Sequence, residues 1–157
     1  MPVKQKLPSG LVGIAGEYFV AAELSRRGFV ASLTLKNTAG FDILVIDPVS
    51  NRSVTVQVKT NQQNERDWLM NEKVERSANS SHFYILVNLR GIENSPVYYI
   101  VPSCIVAERC QKSHRDWLEK PGKLGQPHVD NPQRKFVREA ADEQYRDNWE
   151  MLKLGAA

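Results

Sequence analysis

Asp42, Gln57 and Lys59 are the residues of this sequence whose types and spacing could do chemistry. Two β-rich runs, 41–46 and 53–60, are adjacent in the chain and joined by a short turn-rich link, so antiparallel pairing is the default. If the link is centred between Val49 and Ser50, Asp42 falls opposite Gln57, Ile43 opposite Val56 and Val45 opposite Val54. One face of the ribbon then carries Phe41, Ile43, Val45, Val54, Val56 and Val58, all apolar. The other carries Asp42, Leu44, Thr55, Gln57 and Lys59. A slip by one residue would turn one apolar set away from the other. An acid, an amide and an ammonium on one face supply donors, acceptors and charge for an ion or a water. The same residues also suit a strand that begins after a turn and ends in a snorkelling lysine.

Glu17 is a second, independent signal. It shares a helix face with Gly13, Val20, Ala21 and Leu24, so a carboxylate is set into a small and apolar surface. Burying an unpaired carboxylate is costly, and such a group has a cation, a metal or a raised pKa. Glu23 differs, because Arg26 and Arg27 stand three and four residues on and supply an ordinary surface ion pair.

These residues need a scaffold, and the chain is long enough for one. Its 157 residues, 41% hydrophobic and 25% charged, fit a single domain spanning 1–157, with a core over about 9–101 and a C-terminal extension over about 102–157 that reads as helical. No run approaches the roughly 20 apolar residues of a membrane span, and the opening segment lacks the apolar stretch of a signal peptide. A cytoplasmic protein with no membrane contact is expected, and Cys104 and Cys110 read as free thiols. A zinc site of Cys104, Cys110, His114 and His128 fits no established ligand spacing. Net charge is +3 and evenly spread, with ten Lys/Arg against eight Asp/Glu in 1–80 and eleven against ten in 81–157. Charge alone therefore announces no nucleic-acid binder. The nearest thing to a basic stripe, Arg109, Lys112, Arg115, Lys120 and Lys123, is diluted by Glu108, Asp116 and Glu119 and reads as a solvated helix face.

Apolar periodicity predicts a helix from about Leu11 to Arg27, with Ser9 as its cap and Gly28 as its left-handed exit. Strands are predicted over 29–36, 41–46, 53–60, 83–89 and 97–101, and a short helix around 66–76. Pro102-Ser103 opens a second helix that ends at Pro121-Gly122, and the proline- and glycine-containing loop 119–132 reads as a hinge or flap. An amphipathic helix is expected over 133–152, with Val137, Ala141, Tyr145, Trp149 and Leu152 along one side. Trp68, Trp117 and Trp149 read as core, with base stacking as the alternative. Gly13 and Gly16 sit inside a helical pattern and suit close packing of helix on sheet.

The string Gly16-Glu17 to Val20-Ala21-Ala22-Glu23-Leu24 and Gly28, then Gly40-Phe41-Asp42-Ile43-Leu44-Val45, then Val56-Gln57-Val58-Lys59-Thr60, resembles the PD-(D/E)xK nuclease superfamily. It is most similar to small bacterial members marked by a QVKT strand, and more distantly to archaeal Holliday-junction resolvases. The resemblance covers about residues 11–60. It implies an α/β (α+β) restriction-endonuclease-like fold with an αβββαβ core, a central mixed sheet flanked by helices and extra C-terminal helices. It also implies catalytic roles for Glu17, Asp42, Gln57 and Lys59. Glu17, Asp42, Gln57 and the Val58 carbonyl would hold Mg2+ or Mn2+, while Lys59 orients the attacking water or steadies the phosphate. Phe41 replaces the proline of the pattern. Gln57 replaces its second acid and contributes no full negative charge.

The function implied is metal-dependent hydrolysis of DNA phosphodiesters, by an endonuclease or a structure-selective nuclease, with no small-molecule cofactor. The alternative is a catalytically inactive member of the fold that binds nucleic acid or a protein partner. Asn61, Gln62, Gln63 and Asn64 follow Lys59 directly and are the first candidates for DNA contact. Cutting both strands with one such site would need a homodimer or successive nicks.

Overall fold

The computed structural model describes residues 6–35 and 40–155. Helix α1 (Ser9–Arg26) is followed by strands β1 (Val30–Leu33), β2 (Ile43–Ile46) and β3 (Ser53–Asn61). The chain then forms β4 (Asp67–Asn71), a 3-10 turn (Glu72–Arg76), β5 (His82–Asn88), β6 (Val97–Pro102) and α2 (Ser103–Glu119). It ends with β7 (Gln133–Val137) and two 3-10 segments, Ala140–Tyr145 and Trp149–Leu152. Gly28, at φ +90°, makes the left-handed exit from α1, and its N–H bonds back to the Ser25 carbonyl at 3.0 Å. Ser9 is the first residue of α1 and does not cap it; Pro8 takes the N-cap position, where fixed extended backbone serves and no side-chain bond forms.

Five strands form the central sheet in the order β1-β2-β3-β5-β6. All neighbours are antiparallel except β3 and β5, which run parallel and make the sheet mixed. The β2–β3 register is the one expected from the apolar faces: Ile43 pairs with Val56 and Val45 with Val54. One sheet face, with Ile43, Val45, Val56, Ile85 and Ile100 all fully buried, packs against α1 and the last 3-10 segment. The other, through Tyr84, Leu86, Tyr99 and Val101, packs against α2 and the two-stranded β4–β7 sheet. The molecule is thus layered on both sides of one sheet.

Two expected helices resolve differently. Residues 133–152 form a strand and two short 3-10 segments instead of one amphipathic helix. In 133–137 only Arg134 and Phe136 are buried, which is a period of two, and Phe136 pairs with Trp68 across the β4–β7 ladder. The helical spacing of Val137, Ala141, Tyr145 and Trp149 is therefore coincidental; Val137 is 42% exposed. The helix expected around 66–76 is β4 followed by one 3-10 turn, with Trp68 and Met70 buried and Leu69 exposed. That segment forms the crossover between the parallel strands β3 and β5, and α2 covers the same sheet face after β6. Gly16 packs closely as expected, since a Cβ there would collide with Thr60. Gly13 does not: a Cβ there would meet open space.

Candidate active site

Asp42 lies one residue before β2, yet both neighbouring strands hold its backbone. Its N–H donates to the Val56 carbonyl at 2.8 Å, and its carbonyl accepts from Thr34 N–H at 2.9 Å. The side chain is fixed as firmly: Oδ2 accepts from the Val58 N–H at 2.7 Å and from Gln57 Nε2 at 2.6 Å. Burial raises the Asp42 pKa above 3.8 despite the Val58 bond, the nearby Lys59 and His82 charges and the Gln57 bond, all of which pull it down. Desolvation of this carboxylate thus outweighs the hydrogen bonds and positive charges around it.

Lys59 sits two residues beyond Gln57 on the same half-buried face, paired in register with Leu86 of β5. The Val58 peptide edge faces β2, as its bond to Asp42 shows, while Thr55 and Asn61 use theirs toward β5. In a strand a residue's carbonyl lies on the same edge as its N–H, so the Val58 carbonyl points to the side of Asp42. Asp42, Gln57, Val58 and Lys59 are therefore together. Glu17 is on the other side of the sheet, in α1; it is half-buried and follows Gly16, whose backbone rests on Thr60, the residue after Lys59. Among the described residues no group of three His, Cys, Asp or Glu side chains converges in a way that could hold a metal.

His82 escaped the sequence reading. It is 4% exposed, its Nδ1 lies 2.8 Å from Thr55 Oγ1, and its Nε2 is buried without a hydrogen-bond partner among the described residues. Burial holds its pKa below 6.5, with Asp42 pulling the other way. The signal that could have found it is the β5 alternation His82, Tyr84, Leu86. That alternation points at the Gln57 face only once β5 is known to lie parallel to β3.

The loop proposed for DNA contact spends most of its polar groups on the fold. Asn61 Nδ2 donates to the Asp67 carbonyl at 2.6 Å, Gln62 Oε1 accepts from Leu7 N–H at 2.9 Å, and Asn64 Oδ1 accepts from Asn88 Nδ2 at 3.2 Å. Gln63 is tied by its backbone, N–H to Glu65 Oε2 at 3.1 Å. A cleft of about 450 Å3 opens there, lined among others by Lys6, Ser9, Thr60, Asn61, Gln62 and Gln63.

No family model matches the chain, and no curated protein does. Among solved structures, a bacterial homing endonuclease matches with a TM-score of 0.56 at 13% identity, over 94% of this chain and 94% of that one. The fold is restriction-endonuclease-like. A Holliday junction resolvase from the archaeal hyperthermophile Archaeoglobus fulgidus also matches, with a TM-score of 0.46, 14% identity and coverage of 85% of this chain and 88% of that one. No described helix is long and apolar enough to cross a membrane.

Proposed function

We propose that this protein is a divalent-metal-dependent DNA nuclease whose site is Asp42, Gln57, Val58 and Lys59, supplemented by Glu17. The observation that carries the reading is the desolvated Asp42 carboxylate, pinned beside Gln57 and near Lys59 on a half-open sheet face. The homing endonuclease with the same fold supports the choice of chemistry.

The donor types fit a hard cation such as Mg2+ or Mn2+: a carboxylate short of compensation, an amide whose oxygen is left once Nε2 faces Asp42, and a strand-edge carbonyl. Such a cation would supply charge for a phosphodiester transition state and acidify a bound water. Asp42 would carry most of the ligand charge, with Glu17 as the second carboxylate. The Val58 N–H and the Gln57 amide hold Asp42 in one rotamer before anything binds. Lys59 places a positive charge where a phosphate oxygen or an attacking water would sit. On the DNA side, residues 61–64 are the proposed contacts together with Lys6, and Gln63 leads them because one polar atom of each of the other three amides is already bonded within the fold. Cutting both strands would take two copies of the chain or two successive nicks.

The test is cleavage of supercoiled, linear, branched and single-stranded DNA with Mg2+ and with Mn2+, using Asp42→Ala and Lys59→Ala controls verified as folded. Metal-dependent cutting lost in both variants is expected; no cutting of any substrate with either metal would overturn the proposal.

One observation favours a second reading. The Gln57 amide donates to Asp42, a bond that a second carboxylate at that position could not make. The protein would then be a non-cutting member of the fold that binds nucleic acid or a protein partner. Mn2+ titration separates the two, since this reading requires DNA or partner affinity without metal binding.

A further inference from the structure

Within the two cores of the molecule, aromatic rings meet at steep angles: Trp68 and Tyr99 at 62°, Tyr98 and Trp149 at 57°, His82 and Tyr84 at 79°. At the end of α2 the geometry is different. The Trp117 indole and the His128 imidazole are stacked, with centroids 4.0 Å apart and planes 25° apart. His114, three residues earlier on the helix, lies 5.5 Å from the same indole at 26°. Trp117 is only half-buried, so this ladder is at the surface.

His128 is held there by little. Its loop folds mainly on itself, through Gly122 N–H to the Gln126 carbonyl at 2.8 Å and Gly125 N–H to the Gly122 carbonyl at 2.9 Å. Besides the ring stack, the loop meets the helix through the 2.7 Å contact between His114 Nε2 and Asp130, whose side chain is 72% exposed. Clefts of about 310 Å3 and about 480 Å3 adjoin the ladder, and both include Ser113 and Trp117. The first presents Asn131, Gln133 and Lys135, the last paired with Asp67; the second presents Lys112 and Lys120, exposed lysines with no ion pair among the described residues, along with Glu108, Asp116 and Glu139.

A planar heteroaromatic ring stacked at 4.0 Å on a surface tryptophan, with exposed lysines nearby, is the kind of platform on which an unpaired base can stack. We infer that Trp117 is a stacking platform for an unpaired nucleobase of a DNA strand, whose place His128 occupies in the free protein. When the strand binds, loop 120–130 moves aside, the base takes the His128 position, and Lys112 and Lys120 meet the adjoining phosphates. Only the choice of DNA as ligand rests on the proposed nuclease function; the platform itself rests on α2 and its loop.

The test is intrinsic fluorescence during titration with an oligothymidylate of about fifteen nucleotides, beside a duplex of equal length. Trp68 and Trp149 are buried, so Trp117 is the tryptophan that can report contact. Wild-type protein is expected to be quenched by the single strand and to bind it more tightly than the duplex. Trp117→Phe should lose most of the quenching. Trp117→Ala, checked for fold by circular dichroism, should bind about 5- to 150-fold more weakly. His128→Ala should bind at least as tightly as wild type, because the competing ring is gone; weaker binding by that variant contradicts the displacement. Absence of binding by wild type, unchanged quenching in Trp117→Phe or unchanged affinity in Trp117→Ala overturns the platform. Asp42→Ala separates this inference from the nuclease proposal. It should bind the oligonucleotide as wild type does while failing to cut. Cutting that survives in Asp42→Ala sinks the nuclease site and leaves the platform standing. Cutting by wild type without Trp117 quenching does the reverse.

Discussion

The two faces of β3 carry opposite bargains in free energy. Toward α1 it presents Val54, Val56 and Val58, at 7%, 0% and 7% exposure, packed into a continuous apolar layer. Toward the other side it presents Thr55, Gln57 and Lys59, all half-buried, next to a carboxylate that burial makes less acidic. One strand thus anchors the fold with one set of side chains and presents the proposed site with the other, because its period of two keeps the sets apart. The proposed site is thus carried by a strand whose anchoring side chains, those of Val54, Val56 and Val58, take no part in it.

Substitutions on either face can break this contrast. The largest expected effect is on activity: Asp42→Ala should lower metal-dependent cleavage by about 100-fold or more while leaving the fold intact. A plasmid-nicking assay with denaturant melts checks it, and a variant that unfolds instead would mean that the polar face is structural. Next comes Ile43→Ala on the buried face, expected to cost about 2–5 kcal/mol of stability from lost burial and a cavity. Urea midpoints should register it, and a loss below about 1 kcal/mol would show the apolar layer to be loosely packed.

Gln57→Glu sharpens the comparison within the polar face. It replaces the amide that donates to Asp42 with a second carboxylate 2.6 Å away, so the metal-free variant should melt below wild type. Added Mn2+ should raise its melting temperature more than it raises that of wild type. Equal shifts would mean that position 57 is not a ligand.

The smallest effect is on pH dependence. Asp42 has its pKa raised above 3.8 by burial, so the folded protein holds that proton more tightly than the unfolded chain does. Its contribution to stability is full below pH 3.8 and is lost as pH rises through the folded value. Asp42→Asn should therefore melt slightly above wild type at neutral pH without metal, and the gap should close as pH falls toward 3.8. A gap that widens on acidification would reverse the sign. His82 acts at the other end, its lowered pKa favouring the fold above pH 6.5 and that contribution being lost as pH falls through the folded value.

The hairpin could be read from the sequence because its information is local: alternation and a short link fix register, and register fixes which residues face Asp42. His82 could not, because its place beside Thr55 depends on a parallel pairing between β3 and β5 across twenty intervening residues. The segment 133–152 misled for a related reason. Arg134 is buried beside its Glu75 partner and Phe136 lies under the Arg109 guanidinium, so tertiary contacts decide the strand against a helical-looking pattern. For the loop 61–64, composition alone gave no sign that Asn61 and Asn64 hydrogen-bond within the fold.

The proposed chemistry needs a divalent ion between Asp42 and Gln57. Crystals soaked in Mn2+ and measured for anomalous scattering test it most directly. A peak within bonding reach of Asp42, Gln57 Oε1 and the Val58 carbonyl is expected. Crystals that take up Mn2+ elsewhere and leave this position bare would contradict it.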